Sequence, residues 1–109
     1  MTRTMLTAAS LIVLQLAWSS AAAARDYSCR GQMIGPNAAS QAALALDLNL
    51  GPPLTLKMGD GQSPAATIDS NNSIQLKFST EMFVGEFFHY TGDLILIYKS
   101  GHLGRLTCS

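Results

Sequence analysis

Charge is sparse in this chain of 109 residues, with seven Lys or Arg against seven Asp or Glu and a formal net charge of zero. Without a basic surplus there is no electrostatic footprint for nucleic acid or for an anionic membrane surface. Histidine is scarcer still. His89 and His102 are the only two, and neither has a histidine or cysteine partner at metal-ligand spacing, so no metal site is expected. A Cys-x-x-Cys pair is also missing, which argues against a redox role. Gly59 and Gly61 are followed by Pro64 rather than by a helix, so no phosphate cradle forms and no cofactor is expected. Glutamate is limited to Glu81 and Glu86, whose spacing in a strand points them to opposite faces. Asp93, Ser100 and His102 contain the residue types of a hydrolytic triad, but such triads are defined by geometry and proximity in sequence does not supply it. The chain reads as non-catalytic.

What is present begins at the amino terminus. Arg3 precedes an apolar run from Leu6 to Trp18, and small residues at Ala21 to Ala24 follow. These are the three parts of a secretory signal peptide, with the expected mature start at Arg25. The rival reading is a retained membrane helix, but a run of roughly 13 residues falls short of the ~20 that span a bilayer. No basic stop-transfer cluster follows it, so no retained anchor is expected. Residues 1–24 are read as a cleaved leader and 25–109 as a single domain in the periplasm or outside the cell.

Only two cysteines occur, Cys29 and Cys108, and they bracket nearly all of that domain. In an oxidising compartment an isolated pair is most simply a disulfide. Closing so long a loop removes denatured-state entropy worth about 4.5 kcal/mol in the chain-entropy model, comparable with the whole net stability of a small domain.

Along the domain the hydrophobic period is two, which specifies strands with one buried face. Tyr27, Cys29, Gly31 and Met33 alternate with Ser28, Arg30 and Gln32. Leu44, Leu46, Leu48 and Leu50 share a side, although the composition of Ala38 to Leu46 also suits a helix. After Gly51-Pro52-Pro53, a return strand carries Leu54, Leu56 and Met58, and Gly59 to Pro64 is the longest loop. A short strand at Ala65 to Ile68 and a turn at Asp69 to Asn72 lead to Ile74, Leu76 and Phe78. Asn71-Asn72-Ser73 matches the glycosylation tripeptide and is read here as a turn. A segment from Met82 to Tyr90, a strand from Leu94 to Lys99, a turn at Ser100 to Gly104 and a strand from Arg105 to Cys108 complete the chain. Both cysteines fall on inward faces. The expected fold is therefore an all-β antiparallel meander barrel of seven or eight strands, its first and last strands joined by the disulfide, with an open β-sandwich as the alternative.

The opening Tyr27-Ser28-Cys29-Arg30-Gly31, the body of strands and Gly-rich hairpins, and the closing Leu106-Thr107-Cys108 resemble the membrane-bound or periplasmic c-type lysozyme inhibitor family. The resemblance implies a small eight-stranded barrel, a cysteine near each end, and inhibition by loops inserted into the lysozyme cleft. That family's Ser-Ala-Ser-Gly and Trp-x-Lys-Gly stretches, which carry its inhibitory serine and lysine, have no counterpart here. No inhibitory residue is carried over.

One hairpin holds more apolar residues than a single core face can use. Leu94, Leu96 and Tyr98 take one face of its second strand while Ile95 and Ile97 take the other, and Phe87 and Phe88 also point opposite ways. A half-buried antiparallel strand should be polar outside, so both faces are expected to be covered, locally by the 35–40 stretch or by something else. Phe87, Phe88, Ile95, Ile97 and His102 are the candidate binding surface, and Gly59 to Pro64 and Ser100 to Gly104 are the candidate loops. The expected function is that of an exported protein-binding module, an inhibitor of a cell-wall-acting hydrolase such as lysozyme. The partner would be a secreted or periplasmic protein, with homodimerisation also open. The other readings are a carrier of a small apolar ligand in a cavity lined by Leu46, Leu56, Phe78 and Leu96, and a self-associating envelope protein.

Overall fold

A computed structural model describes residues 26–37 and 41–109. The expected leader lies outside the described residues. Eight strands follow one another: β1 (Asp26–Ile34), β2 (Gln41–Asn49), β3 (Thr55–Met58), β4 (Thr67–Asn71), β5 (Gln75–Ser79), β6 (Phe83–Phe88), β7 (Asp93–Tyr98) and β8 (Leu103–Cys108). No helix occurs among the described residues. The strands form one antiparallel sheet in the order β3-β2-β1-β8-β7-β6-β5-β4, curled into a half-barrel. The helical option for the start of β2 is therefore not taken. Strict alternation from Leu44 onward suits a sheet with one dry face, and β2 pairs with β1 along its whole length.

Strand parity fills the concave side. Leu46, Leu48, Leu56, Leu76, Phe78, Phe83, Phe87, Leu94, Leu96 and Leu106 are all buried, together with both cysteines. Burying a Leu or Phe side chain is worth about 1.5–3 kcal/mol, so this one face dominates the stability. Two glycines permit close approaches between neighbouring strands. A Cβ on Gly85 would lie 2.2 Å from the Phe78 ring, and one on Gly31 would lie 1.8 Å from the Arg105 carbonyl oxygen. The ring of Phe78 thus occupies the interior directly over β6.

The first and last strands pair over six positions, from Cys29 opposite Cys108 to Ile34 opposite Leu103. Ser28 and Ser109 exchange both backbone hydrogen bonds, at 3.0 and 3.1 Å. The next pair inward is therefore a narrow one without hydrogen bonds, where side chains come closest. Cys29 and Cys108 occupy it, with Cα atoms 4.0 Å apart and a sulfur–sulfur bond of 2.01 Å. The disulfide expected from composition is formed and joins β1 to β8.

One element is displaced from its expected place. The fourth strand runs from Thr67 to Asn71, so Asp69, Ser70 and Asn71 are strand rather than turn. The turn moves onward because the Asn72 Oδ1 accepts from the amides of Ile74 and Gln75, both at 2.9 Å. Register shifts between Ile68 and Ser70, a bulge that sets Asp69 out of the pairing.

Candidate binding surfaces

Because the chain meanders, its connections alternate between the two ends of the sheet. One end collects 35–37, 59–66, 80–82 and 99–102, so both candidate loops lie together. They are held by backbone contacts rather than left free. The Lys99 amide donates to the Met82 carbonyl at 3.0 Å, linking two neighbouring turns. The Met58 amide donates to the Gln62 carbonyl at 2.7 Å, and Asp60 Oδ1 accepts from the Gln62 amide at 3.0 Å. Thr80, buried in the turn before Met82, accepts from the amides of Met82 and Phe83 through its hydroxyl, both at 3.2 Å. The ring of Pro36 lies beside Gly101.

Inside these loops the sheet opens into a depression of about 640 Å³, lined by Met33, Met58, Met82, Leu44, Tyr98 and Asp60 among others. These methionines are all that the chain has after residue 25, and β1, β3 and the β5–β6 turn each supply one. Unbranched thioether side chains adapt their shape to varied apolar partners. Met82 is 47% exposed, whereas Leu44, Met58 and Tyr98 are half-buried against the core, so the depression runs from the edge of the core out to Met82. The Tyr98 ring packs at a tilt against Phe83, with centroids 5.0 Å apart. Burial raises its phenol above the usual pKa, and the Asp60 carboxylate raises it further. The signal available in the sequence was the exclusive placement of methionine at strand ends, which parity alone does not gather into one place.

The outer face holds most of the other candidates. Ile97 is 47% exposed, with Val84 and Leu103 at 37% each, and Phe88 and Ile95 are half-buried. The expectation that both faces of this hairpin are covered is not met among the described residues. The Pro36 ring packs beside Gly101 at the loop end rather than over the outer face of β7, where Ile97 stays exposed. Phe87 separates from its companions. It is fully buried, with Tyr27 at 5.1 Å and the edge of His89 at 5.5 Å, so it is a core residue and contributes nothing to a surface. His102 sits at the loop end, its Nδ1 2.8 Å from Ser100 Oγ. Asp93 starts β7 whereas His102 follows its end, and six residues of strand separate them by roughly 20 Å. The three residues of the paper triad are therefore not brought together.

Glu86 and Glu81 are also apart in role. Glu86 faces outward and accepts from Gln75 Nε2 at 2.7 Å, while Glu81 is exposed in a turn. His89 Nε2 lies 3.1 Å from Asn71 Oδ1. No group of three or more His, Cys, Asp or Glu capable of holding a metal occurs among the described residues. No family model, curated protein or solved structure was found to match this chain.

Proposed function

We propose that the chain is an exported, non-catalytic protein-binding module that engages its partner through the loop end of the sheet. The observation that carries this reading is the methionine-lined depression, ringed by hydrogen-bonded turns on a sheet whose first and last strands are covalently joined. Binding residues are commonly carried by loops that a rigid scaffold positions, and half-exposed methionines suit an apolar protuberance of a partner. A disulfide-bonded domain of this size fits an oxidising compartment, which supports export to the periplasm or beyond. Eight antiparallel strands with a cysteine near each end are in keeping with the lysozyme-inhibitor resemblance, so a cell-wall-acting hydrolase such as c-type lysozyme is the first partner to test.

An apolar-ligand carrier would need room among Leu46, Leu56, Phe78 and Leu96. All four are buried side chains of the core, and the Phe78 ring already fills the space above Gly85.

The test is a binding titration of the purified chain against c-type lysozyme, with enzyme activity followed in parallel. Complex formation at micromolar concentration that Met82→Glu abolishes would support the reading. Absence of any complex would remove lysozyme as the partner. Binding that is indifferent to Met82→Glu and to Met58→Glu would remove the loop end as its site.

A further inference from the structure

On the outer face, residues directly opposite one another form two rows across β6, β7, β8 and β1. The first is wholly apolar: Val84 pairs with Ile97, Ile97 with Leu103, and Leu103 with Ile34. The second reads Glu86, Ile95, Arg105, Gln32 in the same order. Further out, Asp47 on β2, Lys57 on β3 and Lys77 on β5 are polar and exposed on the same face. Apolar side chains on the wet side of an antiparallel sheet mark a surface meant to be covered.

The order of charges in the second row says by what. Glu86 and Arg105 stand one strand to either side of Ile95, with β7 midway between them. A two-fold axis running along β7 in front of this face would stack the sheets face to face, with strand directions within about 30° of each other. Under that rotation Ile95 meets Ile95 of the second copy and Ile97 meets its own counterpart. Val84 meets Leu103, and Glu86 meets Arg105, twice over. An axis across the strands would instead set Ile97 against Asp93. Self-complementarity of this kind is the requirement of an isologous dimer.

We infer that the outer face of β6, β7 and β8 is a homodimer interface, closed by Ile95 and Ile97 at its centre and by two reciprocal Glu86–Arg105 pairs. The Gln75 amide holds the Glu86 carboxylate at 2.7 Å, which fixes one half of each pair before association. Asp93, exposed on the same strand, would face its own copy and weaken the contact. Because β7 runs in the same direction in both copies, both loop ends would point the same way. Two depressions would then face one target side by side, a gain in avidity without a new contact. The interface takes Leu103 from the edge of the last candidate loop but none of the residues lining the depression, so its failure would leave the proposed function untouched.

The experiment is sedimentation equilibrium of the purified full chain from low to high micromolar concentration, with circular dichroism to check folding. A reversible monomer–dimer equilibrium is expected. Ile97→Lys should weaken it at least about tenfold, since each copy then buries an unpaired charge, without loss of fold because Ile97 points outward. Glu86→Arg and Arg105→Glu should each weaken it about fivefold, and the double exchange should restore it, as a pair reversed on both sides still matches. Asp93→Asn should strengthen it. A chain monomeric throughout, a dimer insensitive to Ile97→Lys, or a double exchange no better than the single ones would each overturn the inference.

Discussion

Two junctions of the sheet behave oppositely. The strands most distant in sequence, β1 and β8, lie side by side with a disulfide spanning 79 positions, while the consecutive strands β3 and β4 are its two unpaired edges. Chain connectivity therefore does not decide where this sheet closes. Side chains do. At the β1–β8 junction a narrow pair accepts the two cysteines, and Gly31 permits an approach to the β8 backbone that a Cβ would block. At the other junction β3 is only four residues long, and it follows Pro52-Pro53, which lack amide donors. The bulge at Asp69 disturbs β4, whose five residues are all exposed. Short, bulged edges also discourage edge-to-edge association with another sheet.

The largest effect should come from breaking the closed junction chemically. Replacing Cys29 and Cys108 together with serine is expected to lower unfolding free energy by about 2–5 kcal/mol, measured from urea midpoints. A change below about 1 kcal/mol would mean that hydrogen bonds and core packing hold β1 to β8 unaided.

Breaking the same junction sterically comes next. Gly31→Val forces a side chain into the Arg105 carbonyl oxygen and the Leu106 Cα, so β8 must move. Overpacking of this kind typically costs about 1–3 kcal/mol. Thermal unfolding of the variant with its disulfide intact would read that cost directly, and an unchanged melting temperature would show that the close approach is dispensable.

At the open junction changes should be small. Ile68 belongs to the inner side of β4, opposite Phe78, yet it is 48% exposed because no strand lies beyond it. Ile68→Thr is expected to change stability by about 0.5 kcal/mol or less. Amide hydrogen exchange should show the same contrast, with slow exchange at Cys108, which donates to the Gly92 carbonyl at 2.8 Å, and fast exchange across 67–71. Comparable protection of both regions would place a missing partner along β4.

The smallest effect concerns the side chains that approach each other near the open junction. Asp60, in the loop after β3, lies close enough to raise the Tyr98 phenol beyond what burial alone does. A phenol with a raised folded pKa favours the folded state fully below its unfolded value near 10, and that contribution declines as pH rises through the folded value. Stability should therefore fall as pH rises past about 10. Tyr98→Phe should remove that component of the fall and Asp60→Asn should lessen it, both followed by denaturant titration across the range. An alkaline decline identical in all three proteins would exclude Tyr98 as its source.

Much of the fold was legible from local pattern. Period-two alternation located the inward faces of β1, β2, β3, β5 and β8, and the parity of Cys29 and Cys108 put both sulfurs inside. β6 and β7 showed two apolar faces, which left the dry one open, and β4 was misplaced because Asp69-Ser70-Asn71 has turn composition. Only the hydrogen bonds of Asn72 decide which of several turn-forming residues makes the turn. Phe87 and Phe88 could be assigned to opposite faces from parity, but which face was dry depended on the neighbouring strands. The methionine rim was not legible, since Met33, Met58 and Met82 are far apart in the chain.

Alternation, turn residues and the cysteine pair by themselves determined an all-β domain with a covalent link between its ends, because these follow from steric and entropic rules acting over a few residues. Tertiary structure alone decided the β1–β8 register, the break between β3 and β4, and the gathering of methionines at one end. It also decided the alignment of Val84, Ile97 and Leu103 in one exposed row. Each of these depends on how strands distant in sequence slide and curl against one another to fill a common core, and no local pattern specifies that.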